Sequence, residues 1–274
     1  HGHETWWALV PVARRLLRRI GDSCDHLTTI SAYTERRIAG ALSPSARHRL
    51  LRLSPPVDTD HFRPPGGDVF RQEVRCIAVA RLIPQKGLTT LLRAWRTVMD
   101  RATPGGPARE LVVVGDGPLR PRLERTIREL QLTGCVRMLG ALPRAGVIRS
   151  LQQSDVFALP VRTRLAGLNP EGLGLAALEA AACGLPVIIG DSGGAPETVE
   201  AGRTGEVVDC ERPEPLAEAI IGLLQNPSRR EAMAARARPW VVERFDWQVL
   251  GRQASAMFST HARHDEIVRI KVPS

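Results

Sequence analysis

Lysine is nearly missing from this chain. Only Lys86 and Lys271 occur among its 38 lysines and arginines, so arginine carries almost all of the formal charge of +9. A GC-rich genome would give the same skew. A basic chain favours acidic partners: nucleic acid, an anionic membrane or phosphorylated substrates. Aromatic residues are scarce at 4%. Neither a basic-aromatic strand motif nor a recognition helix is present, which sets nucleic acid aside. No apolar run approaches the roughly 18 residues of a membrane span, and no signal peptide is evident. The five cysteines, Cys24, Cys76, Cys135, Cys183 and Cys210, form no C-x-x-C pair and are odd in number. That pattern predicts reduced, buried thiols and a cytosolic protein. Repeats and low-complexity tracts are absent. The chain starts at His1 rather than Met, inside what reads as a motif, so an upstream half is expected.

With 274 residues, 43% of them hydrophobic and 24% charged, the chain can bury a sizeable core in one or two domains. Residues 6–20 read as a helix after Pro11, 26–31 as a short strand, and 32–42 as another helix. The run "RLSPPVDTDHFRPPGGD" (52–68) is rich in proline and aspartate and reads as a linker. Beyond it, short apolar strands alternate with helices: "RCIAVARL", "ELVVVGDG", "VRMLGAL", "DVFALPV", "PVIIGD" and "TGEVVD" are the strands. Such alternation predicts a doubly wound parallel sheet covered on both faces. Ligands of these sheets lie at the carboxyl ends of the strands.

The stretch "EGLGLAALE" (171–179) has a glutamate at each end of an apolar run. The pattern predicts one helix over 171–184, with Gly172 and Gly174 in its first turn. There, free backbone N–H groups and the helix dipole favour a phosphate. Eight residues is about two turns, so Glu171 and Glu179 would share a face and reach different parts of one extended ligand. A capping glutamate plus a surface glutamate explains the pair equally well.

Taken with its neighbours, "EGLGLAALEAAACGLPVIIGDSGGAPETV" resembles the signature of the family-4 retaining glycosyltransferases, an E-x7-E pair followed by a G-G-x-x-E loop. "RLIPQKG" (81–87) resembles the R-x4-K phosphate clamp of that family, and "VVVGDGP" and "VRMLGALP" stand in the same order. "HGHE", "RRIGDSCDHLTTIS" with "YT", and "RTR" are similar to the actinobacterial phosphatidylinositol-mannoside mannosyltransferases in particular. The likeness spans nearly the whole chain. It implies a GT-B fold: a doubly wound, Rossmann-like C-terminal domain facing an incomplete Rossmann-like N-terminal domain across a cleft. The expected divisions are a partial acceptor-side domain over 1–57, a linker over 58–71, a nucleotide-sugar domain over 72–240, and a helix over 241–274 returning to the first domain.

The resemblance also implies roles. Arg81 and Lys86 would contact the donor diphosphate and neutralise charge on the leaving group. Gly172, Gly174 and Leu175 would present backbone to the same diphosphate. Glu171 would bond the sugar hydroxyls and Glu179 the ribose. Gly115, Asp116 and Gly117 form a turn near the nucleotide, and Leu139 and Gly140 lie beside the base. His1, ahead of His3, would act near the reacting carbon. The catalytic set is thus His1, Arg81, Lys86 and Glu171. The expected reaction is transfer of mannose from GDP-mannose to a phosphatidylinositol mannoside or similar glycolipid, with no cofactor and no metal. Another nucleotide-sugar or acceptor, or an inactive nucleotide-binding fragment, is the alternative. Asp58-Thr59-Asp60 has the D-x-D spacing of metal-dependent transferases, but it sits in "PPVDTDHFRP", which resembles the family linker. Pro56 in place of glycine, Asn169 in place of aspartate and the "RLAGL" loop depart from the family pattern. Arg14, Arg15, Arg18 and Arg19, beside Trp6 and Trp7, could rest on an anionic membrane. Peripheral attachment to the inner face of the plasma membrane is therefore expected.

Overall fold

The computed structural model describes residues 3–67, 73–164 and 168–259. A large sheet forms the centre of the molecule. Its strands are β3 (Glu73–Val79), β4 (Ala108–Val114), β5 (Val136–Gly140), β6 (Val156–Leu159), β7 (Val187–Gly190) and β8 (Gly205–Val208). They follow a smaller N-terminal pair, β1 (Leu27–Thr29) and β2 (Leu50–Arg52). All six central strands are parallel, in the order β5-β4-β3-β6-β7-β8. Every residue of β6 and β7 is buried, as expected of strands covered on both faces. The first and fourth strands of this sheet lie side by side, so the winding reverses between β3 and β6, and a crevice opens above that point.

Helices cover the two faces. α1 (Pro11–Ser23), α2 (Ala32–Ala39) and α3 (Pro44–His48) belong to the N-terminal part. α4 (Leu88–Asp100), α5 (Arg120–Glu129), α6 (Arg144–Gln152), α7 (Leu175–Ala182), α8 (Pro213–Leu224), α9 (Pro227–Phe245) and α10 (Trp247–Ser259) follow. α4 packs on α8, and α7 on α9. Trp95 and Phe157 are the largest side chains shut completely inside this core.

The N-terminal part is smaller. β1 and β2 pair in parallel, and Leu17, Ile38, Ala41, Leu42 and Ala46 form a second core beneath them. Neither β2 nor α3 was legible in the sequence. On α1, Val12 stays 75% exposed, and Leu16 and Ile20 are also exposed one and two turns further on.

Residues 57–64 do not hang free between the two parts. Val57 and Phe62 are buried in the main core. Arg238 on α9 donates to the carbonyls of Thr59, Phe62 and Ala182 at 2.8–3.0 Å. Arg144 on α6 pairs with Asp58 at 2.7 Å and lies over the Phe62 ring. Later in the chain Val57 meets residues 245–247: its N–H donates to Phe245 at 2.8 Å, and Trp247 N–H donates to its carbonyl at 3.0 Å.

Candidate active site

The candidate residues gather at one edge of the sheet because each follows the carboxyl end of a strand. Arg81 comes two residues after β3, and Lys86 closes a 3-10 turn (Pro84–Lys86) leading into α4. Gly115–Gly117 follow β4, Gly140 ends β5, and residues 160–174 connect β6 to α7. Backbone bonds lock these loops together. Leu82 N–H donates to Asp116 at 2.9 Å, Gly115 N–H to Gly140 at 2.8 Å, and Arg162 N–H to Gln85 at 2.9 Å. Gly115 has φ +131, and a Cβ there would lie 1.9 Å from the Ala80 carbonyl oxygen. Only glycine fits both that conformation and that contact.

Lys86 and Glu171 meet across the reversal point. Lys86 Nζ donates to Glu171 Oε2 at 2.5 Å, with the two side chains only 14% and 11% exposed. Gln85 Nε2 also bonds the Pro170 carbonyl at 2.7 Å. Thus the loop after β3 grips the loop after β6 where the winding reverses. Arg81 is exposed, and among the described residues its side chain makes no ion pair or hydrogen bond. It is a cation available at the mouth of the crevice.

The helical reading of 171–184 needs correction. α7 starts at Leu175, not at Glu171. Gly174 is its N-cap at φ +96, in the left-handed region that an L side chain enters only with strain. Gly172 and Glu171 lie in the preceding loop, so the argument that two helical turns align Glu171 with Glu179 does not hold. Ala177 N–H donates to the Gly174 carbonyl at 2.9 Å, while the first two N–H groups of α7, on Leu175 and Ala176, lack intrahelical partners, and Leu175 stands exposed there.

Glu179 is unusual in another way. α7 is almost wholly buried, with Ala177, Leu178, Ala180, Ala181 and Ala182 all inside. A carboxyl on such a helix loses hydration, and burial pushes its pKa up to about 7, with Arg144 pulling weakly the other way. A carboxyl raised this far by burial is a mark that functional sites share with structural ones.

Other predicted residues are less engaged. Asp116 Oδ1 accepts from Gly117 N–H at 2.7 Å, a bond local to its own turn. Leu139 is exposed. His1 lies outside the described residues, and His3 opens a 3-10 turn (His3–Ala8). In the D-x-D stretch, His61 and Arg144 hold Asp58, whose pKa falls to about 2 chiefly through the His61 hydrogen bond. Thr59 Oγ1 bonds Asp246 at 2.5 Å. Among the described residues, no three His, Cys, Asp or Glu side chains are grouped to hold a metal ion.

The structure adds residues that spacing could not reveal. Glu171 N–H donates to Ser192 Oγ at 3.2 Å, and that hydroxyl bonds Thr163 Oγ1 at 2.9 Å. Thr163 and Glu171 lie eight residues apart in the irregular loop after β6 and Ser192 follows β7, so no sequence period joins them.

A parallel sheet with this order, and glycine loops at its reversal point, is a doubly wound α/β fold, whose ligands lie at the carboxyl ends of the strands. The profile of the family "Glycosyl transferases group 1" matches residues 69–240. The chain belongs to that family, and it is a glycosyltransferase. It is 40% identical over 267 residues to the GDP-mannose-dependent alpha-(1-6)-phosphatidylinositol monomannoside mannosyltransferase of Mycolicibacterium smegmatis, covering 94% of this chain and 68% of the relative. It is 39% identical over 275 residues to the GDP-mannose-dependent monoacylated alpha-(1-6)-phosphatidylinositol monomannoside mannosyltransferase of Corynebacterium glutamicum, covering 96% and 69%. Among solved structures, HepE of Anabaena in complex with UDP and glucose superposes with a TM-score of 0.78 at 21% identity, over 91% of this chain and 67% of HepE. The fold is GT-B.

Proposed function

We propose that the chain transfers mannose from GDP-mannose, with retention, to a phosphatidylinositol mannoside or a similar glycolipid. The observation that carries this reading is the Lys86–Glu171 pair at the reversal point, with Arg81, exposed and unpaired among the described residues, five positions earlier in the loop that bears Lys86. A donor diphosphate in the crevice would meet Arg81, Lys86 and the N-terminus of α7. Those groups offset the charge that grows on the leaving phosphate as the glycosidic bond breaks. Lys86 now faces a carboxylate, and the diphosphate would give it a second anion. Glu171 would then accept from sugar hydroxyls, and Glu179 from the ribose. In this scheme the acceptor hydroxyl attacks on the face that the phosphate leaves, and the phosphate takes its proton. The reading assigns the diphosphate to these cations rather than to a metal ion. The relatives' names support mannose and the lipid acceptor.

The same reading places the N-terminal part at a membrane. Val12, Leu16 and Ile20 form an exposed row on α1, which also carries Arg14, Arg15, Arg18 and Arg19. Such a face suits an anionic lipid surface, at the inner face of the plasma membrane. Among the described residues no helix is long and apolar enough to cross a bilayer.

Calorimetric titration of GDP-mannose, GDP-glucose and UDP-glucose tests the donor. Selective GDP-mannose binding, lost in Lys86→Ala and Glu179→Ala, is expected. Selective binding of UDP-glucose would replace the donor, and no binding by the folded protein would remove the site assignment.

A further inference from the structure

We propose that Glu197 is a positioning residue, a latch that fixes the N-terminal part onto the loops holding Glu171. Glu197 lies in a 3-10 turn (Ala195–Thr198) just beyond β7. Its carboxylate reaches across to the N-terminal part and accepts from two successive amides, Ala32 N–H at 2.7 Å and Tyr33 N–H at 2.8 Å. These are the first two residues of α2, whose amides have no intrahelical partner. The next amide, Thr34 N–H, is taken by Ser31 Oγ at 3.1 Å within a local capping box. The helix start is therefore completed jointly, half by its own cap and half by a residue 165 positions away. A negative charge at this end is also favoured by the helix dipole.

A second contact lies beneath the first. Gly194 packs directly on Ser31: a Cβ on that glycine would come within 2.7 Å of Ser31 Oγ and 2.2 Å of the Gly172 carbonyl. Gly194 N–H donates to the Glu171 carbonyl at 2.9 Å. On the far side of the same turn, Thr198 Cγ2 would lie 3.6 Å from a Cβ on Gly174, the cap of α7. One small turn thus touches α2, the Glu171 loop and the start of α7. Moving α2 away from Glu197 breaks two charge-assisted bonds and removes the surface against which Gly194 and Glu171 are set. The carboxylate itself touches no reacting group. It acts by keeping the N-terminal part in register with the crevice, a role that deepens the transferase reading and rests on it for its catalytic consequence.

Amide hydrogen exchange on the whole chain reads the latch without any substrate. In Glu197→Gln, exchange at Ala32 and Tyr33 should rise about tenfold to a hundredfold, the equivalent of losing hydrogen bonds to a charged group, while β3 and β7 stay protected. Glu197→Asp, one methylene shorter, should fall between the two. Glu200→Gln, in the same segment but bonded to Arg203, should change neither amide. Unaltered exchange at Ala32 and Tyr33, or equal loosening throughout the central sheet, would overturn the latch. In mannose transfer from GDP-mannose, Glu197→Gln should lower kcat about tenfold with donor KM changed less than about threefold, because the donor groups remain in place. An unchanged kcat, or a KM rise that accounts for the whole loss, would overturn the positioning role. If the wild type bound no nucleotide-sugar while exchange behaved as expected, the transferase substrate assignment would fail and the latch would stand.

Discussion

Replacing Glu179 by glutamine should stabilise the protein at alkaline pH and weaken it as a nucleotide-binding site. The ordinary carboxyl value is 4.5, and burial raises Glu179 to about 7. The native state therefore holds this proton between pH 4.5 and about 7, where the unfolded chain has already released it. Its contribution to stability is full below pH 4.5 and is lost as pH rises through about 7. Above pH 8, keeping the charged form on a buried helix costs up to roughly 3 kcal/mol, at about 1.4 kcal/mol for each tenfold change in proton affinity. Glutamine keeps the shape and carries no charge. A chain of this length gains about 2–4 °C in melting temperature per kcal/mol. Glu179→Gln should thus melt up to roughly 6–12 °C higher than the wild type at pH 8.5 and within about a degree of it at pH 4.5. Scanning fluorimetry across that range measures both. The same variant should bind nucleotide-sugar at least about tenfold more weakly at pH 8.5, where the wild-type carboxylate is an acceptor for hydroxyl donors. Equal melting temperatures at pH 8.5, or a gain of the same size at pH 4.5, would refute the assignment of the cost to a buried charge.

Other perturbations separate the parts of the site. Lys86→Ala leaves the Glu171 carboxylate without its partner and should cost about 2–3 kcal/mol in urea unfolding; adding Glu171→Gln should recover part of that loss, and strict additivity would show that the pair is not coupled. Gly115→Ala should cost more than about 3 kcal/mol, because a Cβ meets backbone at 1.9 Å, whereas Gly105→Ala, at φ +76 with nothing within 4 Å, should cost about 1 kcal/mol. Transfer should survive excess chelator; activity lost to the chelator and restored by a divalent cation would move charge neutralisation from Arg81 and Lys86 to a metal. Serine at Arg15, Arg18 and Arg19 together should reduce co-sedimentation with phosphatidylinositol vesicles, by about 1 kcal/mol per charge at low salt, and unchanged binding would remove α1 from the membrane.

The strands of the central sheet were legible because burial on both faces requires continuous apolar runs, and segments such as "LVVV" (111–114) admit few other readings. Arg81 and Lys86 were named from the resemblance of "RLIPQKG" to the family's R-x4-K clamp, and the structure puts both just after the carboxyl end of β3. The start of α7 was misread for a physical reason: leucines alternating with Gly172 and Gly174 look like an apolar helical face, while the left-handed Gly174 actually stops the helix from extending backward. β2 and α3 are short, half-exposed and flanked by prolines, so no period marks them. The Ser192–Thr163 bond and the Glu197 contact join residues from distant segments. No local pattern encodes such distances, and only the fold brings them together.

Two passages of chain run side by side where Val57 meets Phe245, Asp246 and Trp247. Val57 and Phe62 are rooted in the main core, so any swing of the N-terminal part must take up its rotation upstream, at Leu53–Pro56, where Pro55 and Pro56 resist bending. A rotation there would leave Val57 in the main core and carry α1, α2, α3, β1 and β2 together, because they share one small core of their own. Glu197 resists that turn from the other side of the chain, by holding the start of α2.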